Sequence, residues 1–299
     1  MRPISEKWKP LILSAVAVFS AISVAAYSPP ENDRVELGRQ LFFDTRLSAD
    51  RSLSCSSCHI PERGFSDGRP KALGIHGAEG ERNSPTLINV GSSSTFFWDG
   101  RESVLERLTL APIFNPKELG LNSEELERRI GKPSTEVAAA LASYVRTIRS
   151  SGSRFDRFLA GDSAALTAQE RSGFQLFRGR GRCVECHQGP DFTDDRFHNT
   201  GIAWKTDHFI DEGRFAISLD RADRGAFKTP TLREIEHTAP YMHDGSLATL
   251  EDVVNFYAIG GRRNPTLDPR IRPLDFNSDE KRALVAFLKT LSGIIRNGL

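Results

Sequence analysis

The chain has 299 residues, 38% of them hydrophobic and 26% charged, with 40 Lys and Arg against 39 Asp and Glu. That length is enough for two modest domains with cores of their own. The balanced charge gives neither the basic field of a nucleic-acid binder nor the acidic bias of a disordered tail, so no nucleic acid is expected as a partner.

The N-terminus opens with Arg2, Lys7 and Lys9, followed by an apolar run from Leu11 to Ala26 whose only polar members are Ser14, Ser20 and Ser23. Val24-Ala25-Ala26 offers small residues at a cleavage site, and Tyr27-Ser28-Pro29-Pro30 breaks the pattern. Residues 1–26 therefore read as a secretory signal peptide, and the mature chain is expected in the periplasm with no membrane span. An uncleaved anchor helix is the alternative, for which the run is short.

Two stretches then repeat one plan. Leu37 to Arg69 and Ser172 to Asn199 each contain an amphipathic helix ending in Leu-Phe, a Gly- or Ser-rich turn, CxxCH, and a loop with Pro, Phe and Asp. An internal repeat on this scale implies two copies of one folding unit. The boundary is expected near 150–165, where Ser150-Ser151-Gly152-Ser153 and Gly161-Asp162-Ser163 interrupt the helical pattern. Thr167 and Glu170 form a capping box for the next helix. Domains of 27–165 and 166–299 follow. Glu136–Ile148 carries Val137, Leu141, Tyr144, Val145 and Ile148 on one face, and 250–257 and 280–291 repeat that logic. No convincing run of alternating strands is visible. The expected fold is all-α, with long loops around large cofactors.

The motifs are Cys55-Ser56-Ser57-Cys58-His59 and Cys183-Val184-Glu185-Cys186-His187. Two thiols at this spacing reach the two vinyl groups of one haem, and the next residue brings an imidazole under the iron. Each domain is thus expected to carry one covalent haem c, ligated by His59 in the first and His187 in the second. A structural zinc shared by four thiols and a redox dithiol are the alternatives. Neither accounts for a His directly after both pairs.

What closes the far side of each iron decides function, because a carrier needs strong ligands and a peroxidase needs an open position. The only methionines are Met1 and Met242, so two His/Met haems are excluded once Met1 leaves with the signal. Met242 is a ligand or a packing residue. Five further histidines, His76, His198, His208, His237 and His243, are available. His76, in the flexible stretch Gly74-Ile75-His76-Gly77, is the candidate for visiting the first iron.

These residues resemble the bacterial di-haem cytochrome c peroxidase family, which includes the MauG-like enzymes. The resemblance covers nearly all of the mature chain. It rests on both CxxCH motifs together with Arg82-Asn83-Ser84-Pro85-Thr86, Phe97-Trp98-Asp99-Gly100-Arg101, Asn115 to Gly120, Lys228 to Arg233 and Ala239 to Gly245. It implies two cytochrome c-like domains, with the peroxide site at the haem on His59 and an electron-transfer haem on His187. Trp98 matches the tryptophan between the haems. Glu118 matches the catalytic glutamate, a proton shuttle for O–O cleavage, and Pro112 the proline that crowds the distal pocket. A structural calcium is implied at Asn83, through its side chain, and at the carbonyls of Thr238 and Pro240.

Two departures from the peroxidase pattern matter. Leu108 stands where the peroxidases often carry Gln. Tyr257, fourteen residues after His243, stands where they place a Met ligand and where MauG-like enzymes place Tyr. A phenolate there favours oxidised iron. The resemblance therefore implies a MauG-like oxidase that uses hydrogen peroxide to oxidise a partner protein, in some relatives at a tryptophan. The alternatives are a detoxifying cytochrome c peroxidase, fed by a small redox protein, and a non-enzymatic di-haem carrier.

Overall fold

The computed structural model describes residues 31–297; the segment 1–26 lies outside them. The chain is helix-rich with little sheet. The helices expected in the sequence form at Ser134–Thr147, Leu250–Ala258 and Ser278–Lys289. Thr167 caps Ala168–Arg178 as anticipated: its hydroxyl accepts from the Glu170 amide at 3.2 Å, and Glu170 accepts from the Thr167 amide at 2.7 Å. No described helix is long and apolar enough to cross a membrane.

Two helix pairs organise the chain, and a glycine makes each possible. Glu31–Phe42 crosses Ser134–Thr147 at Gly38, where a Cβ would lie 1.9 Å from the Ala140 carbonyl oxygen. Ala168–Arg178 crosses Ser278–Lys289 at Gly173, where a Cβ would lie 1.9 Å from the Ala283 carbonyl oxygen. The close approach seats Phe42 against Tyr144 with ring centroids 5.2 Å apart, and Phe177 against Phe287 at 5.1 Å. All four rings are buried. Truncating any one of the phenylalanines to Ala is worth about 3–5 kcal/mol.

The buried side chains form two clusters. One runs from Leu41 to Ile148 and the other from Phe155 to Leu291. Polar contacts join them. Arg82 donates to Asp99 at 2.6 Å and to both carboxylate oxygens of Asp211 at 2.7 and 2.9 Å. Asn89 and Ser92 both donate to Asp191, at 2.6 and 2.8 Å. Asp195 accepts from the Ser94 amide and pairs with Lys228.

Beside the helices there is a little sheet, which no alternating run in the sequence announces. Ile148–Ser151 pairs antiparallel with Ile294–Asn297, and two two-residue ladders join Phe197–His198 to Phe227–Lys228 and Trp204–Lys205 to His208–Phe209. The first strand alternates buried and exposed, but its buried members are Ile148 and Ser150, so hydrophobicity does not mark the period. Ser153 is no simple breaker either. It is the N-cap of Arg154–Leu159, accepting from the Asp156 amide.

Candidate active site

Each CxxCH folds into a single helical turn. The amide of His59 donates to the Cys55 carbonyl at 3.0 Å, and that of His187 to the Cys183 carbonyl at 2.9 Å. Positions i, i+3 and i+4 of such a turn share a face, so both thiols and the imidazole point the same way. Nδ1 of His59 meets the Phe65 carbonyl at 3.0 Å, and Nδ1 of His187 meets the Phe192 carbonyl at 2.8 Å. A carbonyl only accepts, so Nδ1 carries the proton and Nε2 keeps a free lone pair. Burial holds both imidazoles below the usual histidine range, and hence neutral. Phe65 and Phe192 both take positive φ, 58° and 53°, which aims their carbonyls back at the rings.

Both turns open on one cavity of about 1040 Å³, which is also lined by Trp98, Leu108, Pro112, Glu118, Met242, His243 and Tyr257. The correspondence between the halves runs beyond CxxCH. Ser84-Pro85-Thr86-Leu87 and Thr229-Pro230-Thr231-Leu232 both line the cavity. The Thr86 hydroxyl donates to the Gly64 carbonyl and the Thr231 hydroxyl to the Asp191 carbonyl, each at 2.6 Å. Phe97 and Met242 both take positive φ, at 64° and 73°, ahead of an X-Asp-Gly turn. Trp98 and His243 are thus counterparts in the two copies.

Trp98 is held from both sides. Its indole donates to the Asn83 carbonyl at 2.9 Å, and its own carbonyl accepts from the Lys228 amide at 2.8 Å. The Asn83 amide donates to the His243 carbonyl at 2.7 Å. His243 is 2% exposed, stacked on Phe227 with centroids 3.6 Å apart, and among the described residues neither ring nitrogen has a hydrogen-bond partner. Pro112 lies within the helix Leu105–Phe114, and Glu118 follows that helix. Burial pushes the Glu118 carboxyl above its usual range, while the Asn115 amide and Arg101 pull it back.

Tyr257 sits within Leu250–Ala258 near Cys186 and Cys183, and burial pushes its phenol upward. Among the described residues no protein group accepts from its hydroxyl, in contrast to Tyr241, whose hydroxyl donates to the Ile235 carbonyl at 2.9 Å. Asn83, Thr238 and Pro240 all line the cavity. The Asn83 side-chain amide donates to the Arg69 carbonyl at 2.7 Å, which leaves its oxygen for another partner. His76 lies elsewhere: its side chain is 75% exposed, 3.6 Å from Asp50, and outside the cavity lining. Ligation by His76 at the first iron requires its loop to move.

The alternatives for the cysteines fare poorly. Burial raises the thiols of Cys55 and Cys183 to about 12 and those of Cys58 and Cys186 to about 11. A redox dithiol needs a lowered pKa. Among the described residues the four thiols do not converge on one point; the cluster of ligand type that does form is Cys186, Asp194 and His198. No motif in the chain announces that group's setting. His198 lies 2.8 Å from Asp194 and 2.9 Å from Asp268, with Arg270 bound to the same edge of the ring. Its partners are 4 and 70 residues away, and only the nearer one was within reach of a motif.

Residues 32–135 match the family model of the di-haem cytochrome c peroxidases. A cytochrome-c peroxidase, IdrP2, of Denitromonas iodatirespirans is 40% identical over 304 residues, covering 87% of this chain and 82% of that protein. The methylamine utilization protein MauG of Methylorubrum extorquens is 38% identical over 282 residues, covering 88% and 79%. The chain belongs to the di-haem cytochrome c peroxidase family. Among solved structures, a MauG-like protein associated with microbial copper homeostasis superposes with a TM-score of 0.82 at 35% identity, covering 91% of this chain and 92% of that one. The family implies two haems, and the residues present fit them. Each motif offers two half-buried thiols and a neutral imidazole whose Nδ1 is already engaged, on one cavity that both motifs line.

Proposed function

We propose that the chain is a periplasmic, di-haem c-type oxidoreductase of the MauG-like kind, with 27–165 and 166–299 each carrying one haem. Cys55, Cys58 and His59 would hold the first and Cys183, Cys186 and His187 the second. The observation that carries the reading is Tyr257, a phenol on the cavity wall near Cys183 and Cys186 whose hydroxyl has no protein acceptor among the described residues. Bound there, the haems supply iron that accepts and stores oxidising equivalents from hydrogen peroxide.

The chain's own residues do the rest. Glu118 accepts a proton from one peroxide oxygen and returns it to the other, so that the departing fragment is water. Burial keeps that carboxylate basic enough for the task. Pro112 and Leu108 narrow the pocket without offering a side-chain donor, which leaves Glu118 to orient the peroxide. Trp98 lines the cavity that both motifs share, and its indole would serve as the relay between them. Tyr257 would favour the oxidised second iron, which suits the oxidation of a partner protein, including one at a tryptophan. Calcium at Asn83, Thr238 and Pro240 would tie the Trp98 anchor in place, since Asn83 binds the indole through its carbonyl.

A second reading, a detoxifying peroxidase fed by a small redox protein, is favoured by the 40% identity to a protein named for that activity. An EPR spectrum of the resting ferric protein, repeated after stoichiometric peroxide, separates the two. One high-spin and one low-spin signal, both lost to a long-lived EPR-silent state, is the expected result. Two low-spin signals that respond to peroxide only after prior reduction overturn it, favour the detoxifying peroxidase, and make His76 the first residue to substitute.

A further inference from the structure

We infer that Asn115 is a positioning residue for Glu118, holding one carboxylate oxygen so that the other is presented to the cavity. The inference rests on the reading of Glu118 as the proton shuttle. Its basis is geometric. Nδ2 of Asn115 donates to Oε1 of Glu118 at 2.7 Å. The direction of the amide is fixed by its other end, because Oδ1 accepts from the Lys117 amide at 3.0 Å. No other protein donor among the described residues binds the Glu118 carboxylate.

The backbone around this pair is fixed independently of it. Asn115 ends the helix Leu105–Phe114 with its amide on the Ala111 carbonyl at 3.0 Å. The Asn115 carbonyl accepts from the amides of Glu118 and Gly120, each at 2.9 Å. The Glu118 carbonyl accepts from Ile75 at 2.9 Å. At Gly74 a Cβ would lie 1.8 Å from the Lys117 carbonyl oxygen, so this neighbouring loop packs directly on the segment. The side-chain amide of Asn115 therefore acts on a residue whose main chain is already set.

Other charged groups surround the pair. Arg101 faces Glu118 but stacks 3.5 Å over the Phe97 ring and pairs with Asp99. Lys117 pairs with Glu81 at 3.4 Å, Lys71 pairs with Glu79 at 3.2 Å, and His76 sits 3.6 Å from Asp50. Cys58 is the nearest thiol, and in the holoprotein it is a neutral thioether. Of these neighbours, only Asn115 gives Glu118 a hydrogen bond. Burial raises Glu118 and this hydrogen bond opposes it, so losing the donor leaves burial less opposed.

The variants are Asn115→Leu, which removes the donor, and Asn115→Asp. The second keeps the acceptor for the Lys117 amide, loses the donor and adds a second carboxyl. The first measurement is the pH dependence of the second-order rate constant for peroxide in the holoprotein. The second is an infrared titration of the Glu118 carboxyl band in the resting enzyme, assigned by its disappearance in Glu118→Gln. Both midpoints are expected to rise by about one to two pH units in Asn115→Leu. They should rise further in Asn115→Asp, where two carboxyls share the site. A purely structural role would lower the rate evenly across pH and leave the band midpoint where it was, and that result overturns the inference. If Asn115→Leu fails to assemble, Asn115→Ala, which removes the donor without adding a charge, takes its place with the same expected rise. If Glu118→Gln keeps the full rate, the shuttle reading fails, and the presentation of Glu118 to peroxide falls with it. If Glu118→Gln loses the rate and neither Asn115 variant moves the midpoint, only the role of Asn115 falls.

Discussion

The two CxxCH turns are nearly the same object built twice, and the residues brought to the cavity beside them are not. Each turn bonds its histidine amide to its first cysteine, and each imidazole is held by a phenylalanine carbonyl at positive φ. Each also leans on a helix pair that crosses at a glycine. Beside this shared frame the first motif has Glu118, delivered by the turn after Leu105–Phe114, and the second has Tyr257, delivered from within Leu250–Ala258. The X-Asp-Gly turns diverge too, with Trp98 in one and His243 in the other. On the proposed reading one frame serves two chemistries, with Glu118 beside the first motif and Tyr257 beside the second as the main difference between them.

The sharpest way to break the comparison is Glu118→Gln. It should slow the reaction with peroxide by about 10²–10⁴-fold, the range for loss of a general acid–base group, and leave the resting optical spectrum unchanged. In the unsubstituted protein that rate should fall as pH falls through the Glu118 pKa, which burial raises above the usual carboxylate range. The sign follows from the need for the deprotonated carboxylate. Next comes Tyr257→Met, which gives the second site a neutral ligand. Potentiometry should show its potential rising by on the order of 100 mV, with the first site little changed.

Smaller effects test the frame itself. Arg82→Met removes the shared partner of Asp99 and Asp211 across the seam between the clusters; Asp99 keeps Arg101, while the half-buried Asp211 loses its guanidinium. Thermal unfolding should show a loss of about 3 kcal/mol. Gly38→Ala and Gly173→Ala each force a methyl group against a carbonyl, and about 1–3 kcal/mol of overpacking is expected from each. Equal losses would mean that the two crossings carry equal weight, and unequal losses would show which pair is the more compliant. Thr167→Ala, which removes one capping box, should cost about 1 kcal/mol in the same assay.

Much of this was legible in the chain, for a physical reason. Thioether attachment and imidazole ligation need residues at fixed short spacing, so CxxCH is written contiguously. The Thr167–Glu170 capping box is equally local. The unread parts are those that rest on distant or backbone partners. Arg82 and Asp211 are 129 residues apart, and nothing near either announces the other. Ile148–Ser151 becomes a strand only because 294–297 comes to meet it. Asn115 was visible as part of a motif, but its direction toward Glu118 depends on the Lys117 amide. His76 was singled out by its loop, and its exposure follows from Ile75 and Gly74 packing inward on the Glu118 segment.

The carbonyls of Phe65 and Phe192 carry one further consequence. They fix the tautomer of both histidines, yet they belong to the main chain, which every amino acid supplies. No codon change deletes such an acceptor. Replacing either phenylalanine perturbs the packing, but the oxygen remains. Drift in sequence can therefore erode the surroundings of each imidazole while its proton stays on the same nitrogen. A side-chain carboxylate or amide in that place would have been lost to a single mutation, so this pair of contacts is buffered against the ordinary supply of variation.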